Sequence, residues 1–157
     1  MITKISWDEI KKAVENIAEQ IKKAEFEADY IIGIASGGIV PLGLLAKKMD
    51  IKNVLTVTAR SYEEYKDTKQ SELVVSYLPK LDLKDKKILL VDELADSGET
   101  LKKLSLVMFE KYQPSELKTA TLAINIKNCK FKPDFSAIPV ESWLIAPWDK
   151  DEFPQYF

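Results

Sequence analysis

No histidine occurs anywhere in the 157 residues, and cysteine occurs once, at Cys129. Without histidine there is no Ser–His or Cys–His nucleophilic pair, no histidine general base, and few ways to build a zinc site. One cysteine cannot close an internal disulfide or complete a CxxC redox or zinc pattern. Arginine is nearly as scarce, with Arg60 standing alone beside 22 lysines. The net charge of −2 creates no basic field that would favour nucleic acid or an anionic membrane. No apolar run approaches membrane-spanning length, and the opening "MITKISWDEIKK" lacks the apolar core of a signal peptide. The cytoplasm is therefore the default expectation, with no nucleic-acid or membrane partner.

The length suits one domain over residues 1–157 with a single core. Ser6 followed by Glu9 is a capping box, and Ile10, Ala13, Val14, Ile17, Ala18 and Ile21 then recur at helical spacing, predicting a helix over 7–24. "DYIIGIASGG" reads as a short buried strand entering a glycine turn. "IVPLGLLAKKM" follows as a helix that tolerates Pro41 in its first turn. "IKNVLTVTA" is a β-branched strand, and residues 60–72, polar and without period, read as a long loop of the kind that often serves as a lid. "KKILLV" is an apolar run suited to burial on both faces of a parallel sheet. A helix is expected from about Thr100 to Tyr112, with Leu101, Leu104 and Met108 inward, and "ELKTATLAINI" as the next strand. The last 25 residues should carry short strands at most. Strand–turn–helix repeated in this way predicts an α/β fold with a mostly parallel twisted sheet flanked by helices. Ligands of such sheets bind at the carboxyl ends of the strands.

One stretch concentrates chemistry at such an end. In "KILLVDELADSGETL", Asp92, Glu93 and Asp96 fall within five positions, followed by Ser97, Gly98 and Thr100. An acidic strand end also occurs in P-loop NTPases, but that reading requires GxxxxGK[ST], which the chain lacks. The plain alternative is a set of solvated loop acids that cap the next helix. Against it, acids crowded at the end of a buried strand repel one another, which a cation or a hydroxyl-rich ligand would offset. "DSGET" adds successive backbone amides, hydroxyls and a helix amino terminus, the makings of a phosphate cradle. Acids beside a phosphate cradle fit a ribose 5-phosphate.

The segment "ILLVDELADSGETL" resembles the signature of the phosphoribosyltransferase family: an apolar strand, two acids, two spacers, then Asp-Thr/Ser-Gly-x-Thr. "SWDEI", "GIASGGIVPLGLLAKKM", "RSYEEY" and "ESWLIAPWD" resemble, in order and spacing, the small purine enzymes of the bacterial xanthine–guanine type. The resemblance implies the type I phosphoribosyltransferase fold with a small aromatic and proline-rich carboxyl-terminal hood. It implies transfer of phosphoribose from phosphoribosyl pyrophosphate (PRPP) to a 6-oxopurine, giving a nucleoside monophosphate and pyrophosphate, with magnesium as cofactor. A homodimer or homotetramer is implied as well. The alternatives are a regulator that senses PRPP or nucleotide with weak turnover, and an enzyme for another base.

By the same resemblance, Asp92 and Glu93 hold the ribose hydroxyls directly or through magnesium, and Asp149 helps to place a second magnesium. Asp96 is the acid/base at the purine imidazole nitrogen. Ser97, Gly98, Glu99 and Thr100 take the 5-phosphate. Ser36, Gly37 and Gly38 form the pyrophosphate loop, with Ala35–Ser36 the expected cis peptide. Ser36 stands where relatives carry a positive charge, and Arg60 is expected to compensate. Ser61 and Tyr62 begin the flexible loop. Trp143 stacks on the purine while the backbone near Leu144 reads its edge. Asn125 replaces the lysine that donates to the exocyclic oxygen of 6-oxopurines, and Lys127, two residues on, is expected on the same strand face.

Overall fold

The computed structural model describes residues 1–62 and 72–157, the side chains of Ser61 and Tyr62 excepted. The chain runs β1 (Ile2–Lys4), α1 (Trp7–Lys23), β2 (Tyr30–Ala35), α2 (Ile39–Met49), β3 (Val54–Tyr62), β4 (Glu72–Tyr77), β5 (Lys87–Ala95), α3 (Glu99–Tyr112), β6 (Glu116–Asn125), β7 (Phe135–Val140) and β8 (Trp143–Ile145). Single 3-10 turns follow at Pro147–Asp149 and Pro154–Tyr156. The main sheet has the order β4-β3-β2-β5-β6-β7. Its pairings are parallel except that of β3 with β4. This is the expected α/β fold, with α1 and α2 on one face and α3 on the other.

The apolar strand runs divide cleanly between these faces. Ile31, Leu89 and Val91 pack with Ile10, Ile17 and Ile21 of α1 and Leu45 of α2. Their strand neighbours Ile32, Ile88 and Leu90 point the other way, onto Leu101, Leu104 and Met108 of α3. Alternate side chains of a strand point to opposite faces, so an unbroken apolar run marks a strand covered on both. Each fully buried Leu or Ile contributes about 1.5–3 kcal/mol of transfer free energy.

α1 begins as its sequence dictates: Ser6 Oγ accepts the Glu9 N–H at 3.2 Å and the Glu9 carboxylate accepts the Ser6 N–H at 2.7 Å. The Ala35–Ser36 peptide is cis, as expected.

Three expectations need correction. β3 continues to Tyr62, so Arg60 is not a loop residue; it lies within a strand, opposite Val74. β4, which the polar surroundings of residues 60–72 concealed, supplies the antiparallel partner. β5 runs on to Ala95, through Asp92 and Glu93, because its pairing with β6 persists to Ala95–Ile124. β6 ends at Asn125 and residues 126–128 form a turn. Lys127 therefore does not share a strand face with Asn125. Its ammonium instead pairs with Glu141 at 2.6 Å on the surface. The lid expected over 60–72 lies mostly outside the described residues.

The carboxyl-terminal segment folds back on the amino terminus. β1 and β8 form a separate two-stranded parallel sheet, with Ile2–Trp143 and Lys4–Ile145 in register. Trp7 and Trp148 pack with ring centroids 5.7 Å apart. This small structure is the aromatic hood, and it stands over the carboxyl ends of the strands.

Candidate functional site

Strand order places the site. From β2 the chain moves to β3 on one side, and from β5 it moves to β6 on the other, so the sheet reverses its winding between β2 and β5. Such a switch opens a crevice at the carboxyl ends of the two strands. Ser36-Gly37-Gly38 follows β2 at that edge, and Asp96-Ser97-Gly98 follows β5.

The two loops approach closely because glycine lets them. A β-carbon on Gly38 would meet the Val91 carbonyl oxygen at 2.7 Å and the Ile34 carbonyl oxygen at 2.8 Å. One on Gly37 would meet Glu93 Oε2 at 3.0 Å and Asp92 Oδ1 at 3.7 Å. Gly37 thus lies against the acidic pair and Gly38 against the backbone of β2 and β5, and a side chain at either would push the loops apart.

The acidic pair is electrostatically strained. Burial pushes the Asp92 carboxyl up to about 7, although the Glu93 N–H donates to its Oδ1 at 2.8 Å and opposes the shift. Glu93 is pushed up to about 8, first by burial and then by the negative charges of Asp149, Asp92 and Glu152; the Trp148 side chain opposes the rise by hydrogen-bonding the carboxylate. These are oxygen donors whose charge the protein leaves under-compensated, which suits a hard divalent cation. Among the described residues no group of three acidic, histidine or cysteine side chains forms a metal cage. The two adjacent carboxylates by themselves suit magnesium, which commonly takes one or two carboxylates and completes its shell with substrate oxygens. Asp149 also has a local task, since its Oδ2 accepts the Ala146 N–H at 2.8 Å and closes the 3-10 turn.

The cradle follows directly. Gly98 adopts φ +82° and opens the amino terminus of α3, which begins at Glu99. The positive end of the helix dipole faces the crevice there. Ser97 Oγ takes the Glu99 N–H at 3.2 Å, and the Ser97 carbonyl accepts the Lys130 N–H at 3.0 Å. The segment after β6 therefore braces the cradle from outside. Thr100 lies in the first turn of α3.

Asp96 is exposed on this turn, and Asn125 is 6% exposed at the end of β6. Asn125 Nδ2 donates to Asp96 Oδ1 at 2.7 Å, while Asn125 Oδ1 accepts the N–H groups of Lys127 and Asn128 at 3.0 and 3.1 Å. The amide that was expected to face a base is thus engaged with the cradle aspartate and the following turn.

A cavity of about 340 Å³ joins Ser36, Gly37, Glu93, Trp143, Leu144 and Asp149. Trp143 is 53% exposed and Leu144 is buried, so the indole is open to a ligand while its neighbour anchors β8. Arg60 is exposed on β3 and does not line this cavity. Two residues escaped the sequence reading. Trp148 and Glu152 both line the cavity and act on Glu93. "PWDKDE" contains them, but nothing in that string reveals an acid more than fifty positions earlier as their partner. A larger groove of about 750 Å³ lies by the carboxyl ends of α1 and α2, next to Asp29 and Lys52. It sits at the amino ends of β2 and β3, away from every candidate residue.

Comparison with known proteins agrees with this architecture. A xanthine-guanine phosphoribosyltransferase of Idiomarina loihiensis is 25% identical over 146 residues, covering 92% of this chain and 85% of that one. The crystal structure of a purine phosphoribosyltransferase from Pyrococcus horikoshii superposes with a TM-score of 0.78 at 28% identity, over 94% of this chain and 93% of the other. The Helicobacter pylori xanthine-guanine-hypoxanthine phosphoribosyltransferase shares the fold at a TM-score of 0.84 and 22% identity, over 99% of each chain. The phosphoribosyl transferase domain matches residues 6–152. That span takes in both switch-point loops and the hood residues facing them, and the chain belongs to the phosphoribosyl transferase family.

Proposed function

We propose that the enzyme transfers the 5-phosphoribosyl group of PRPP to a 6-oxopurine, namely guanine, xanthine or hypoxanthine, in purine salvage in the cytoplasm. The observation that carries this reading is the meeting, at one switch point, of an acidic strand end with a glycine-opened helix terminus. Sugar hydroxyls suit the first and a 5-phosphate the second. The purine assignment rests on the similarity to purine enzymes and on the open Trp143 indole beside the cavity. A homodimer or homotetramer is proposed, with the exposed Tyr156 and Phe157 available to an interface.

In the reaction, a purine ring nitrogen forms a bond to the anomeric carbon as that carbon's bond to pyrophosphate breaks. The electron pair leaves with pyrophosphate, and Asp96 receives the proton from the imidazole ring of the base. The transition state is oxocarbenium-like, so the protein acts by positioning and charge stabilisation. Asp92 and Glu93 fix the ribose hydroxyls. The turn from Ser97 to Thr100 holds the 5-phosphate at the amino terminus of α3, with the Glu99 N–H shared with Ser97 Oγ, and the Ser36–Gly38 loop receives pyrophosphate. Asp92 and Glu93 would hold magnesium and Asp149 would help to place a second ion; when bound, magnesium neutralises charge on the pyrophosphate oxygens.

The test is an assay of PRPP, magnesium and each common purine base in turn, following nucleotide formation. Turnover of at least one 6-oxopurine is expected. PRPP binding without turnover of any base would replace this reading with that of a PRPP-sensing regulator.

A further inference from the structure

We propose that Asn125 is a positioning residue for Asp96: it draws one carboxylate oxygen inward and leaves the other aimed at the reacting centre. The inference rests on the reading of Asp96 as the acid/base. Its basis is the pattern of bonds around one buried amide. Backbone N–H groups only donate, so the atom of Asn125 that meets those of Lys127 and Asn128 at 3.0 and 3.1 Å is its oxygen. The orientation of the amide follows. Its NH₂ faces Asp96 Oδ1 at 2.7 Å, a length typical of a charge-assisted bond.

The sheet fixes both partners. β5 and β6 are parallel and in register at Ala95–Ile124, so Asp96, just beyond the end of β5, and Asn125, the last residue of β6, emerge side by side. On its other side Asn125 is paired with Val140 of β7. Asp96, by contrast, sits on a turn and is exposed. Its side chain would sample several rotamers without a fixed donor. A lysine in place of Asn125 has no acceptor for the two turn amides and delivers its charge on a flexible stem. The amide does two things that a lysine cannot: it closes the 126–128 turn and presents a donor of set direction.

Asn125→Asp separates these tasks. A carboxylate still accepts both turn amides, but it cannot donate when ionised and it repels Asp96. The expected result is a fall in kcat of about tenfold or more and a KM for PRPP within about twofold of wild type, with the cost of burying like charges read separately as a lowered melting temperature. Unchanged kcat would overturn the inference and leave Asn125 as a turn-closing residue. A second measurement needs neither turnover nor that variant. The Asn125 side-chain amide resonance in wild type should shift on Asp96→Ala, and an unmoved resonance would overturn the contact itself. A wild type that turns over no base would overturn the acid/base reading of Asp96 and this inference with it. A wild type that is active while N125D keeps its kcat would overturn this inference alone.

Discussion

The carbonyl oxygen of Phe131 fills the space that a β-carbon on Gly98 would need. Gly98 also holds φ +82°, a conformation that costs an L-residue about 1–2 kcal/mol. Gly98→Ala must therefore either push away the segment after β6 or rebuild the cradle. It is expected to destabilise the fold by about 2 kcal/mol and to weaken PRPP binding, read by chemical denaturation and calorimetry. A variant as stable as wild type would mean that the 129–131 segment yields freely and does not brace the cradle.

Asp96→Asn removes the proton acceptor proposed for the reaction while keeping the shape of the turn. Turnover is expected to fall by about a hundredfold, with PRPP affinity altered far less. Equal losses of both, measured by steady-state kinetics and calorimetry, would assign Asp96 to loop shape alone.

The raised proton affinities of Asp92 and Glu93 predict how stability depends on pH. In the unfolded chain these groups lose their protons near 3.8 and 4.5, and in the fold near about 7 and about 8. Between those limits the folded protein holds protons that the unfolded chain has released, so stability falls as pH rises through this window and levels off above it. Glu93→Gln should flatten part of that slope and melt higher than wild type at pH 8. Melting curves of the two proteins that run parallel from pH 5 to 8 would contradict the burial of this charge.

Trp148 reaches Glu93 from the hood and lowers its proton affinity. Trp148→Phe keeps an aromatic ring against Trp7 but loses the indole donor. Apparent magnesium affinity in the PRPP reaction is expected to drop by roughly tenfold with little change in melting temperature. Unchanged magnesium dependence would leave Trp148 a packing residue only.

Much of this site could be read from the chain because its parts are local. The apolar run of β5, its acids and the cradle are consecutive, and burial on both faces leaves a plain signal from Ile88 to Val91. The Ser6 capping box and the full extent of α2 are local too. What escaped is non-local. β4 is an edge strand whose exposed Val74 and Tyr77 blur the alternation that one-sided burial would impose, and the outer end of β3 is revealed only by its pairing with β4. The bond between Asn125 and Asp96 depends on the register of two parallel strands, and the action of Trp148 and Glu152 on Glu93 depends on how the hood folds back. Neither leaves a spacing to find. Lys127 shows the converse error, since a two-residue interval means a shared face only while the strand continues.

The pairing of β1 with β8 ties both chain ends to the wall that presents Trp143. Lys4 donates to the Tyr156 carbonyl at 2.9 Å and lies 4.1 Å from the centre of the Phe157 ring. A bulky group attached at Met1 or Phe157 is therefore expected to disturb the wall around Trp143 before it reaches the loops at the switch point. Reporter groups are better carried by the solvent-facing lysines of α1, Lys11 and Lys12.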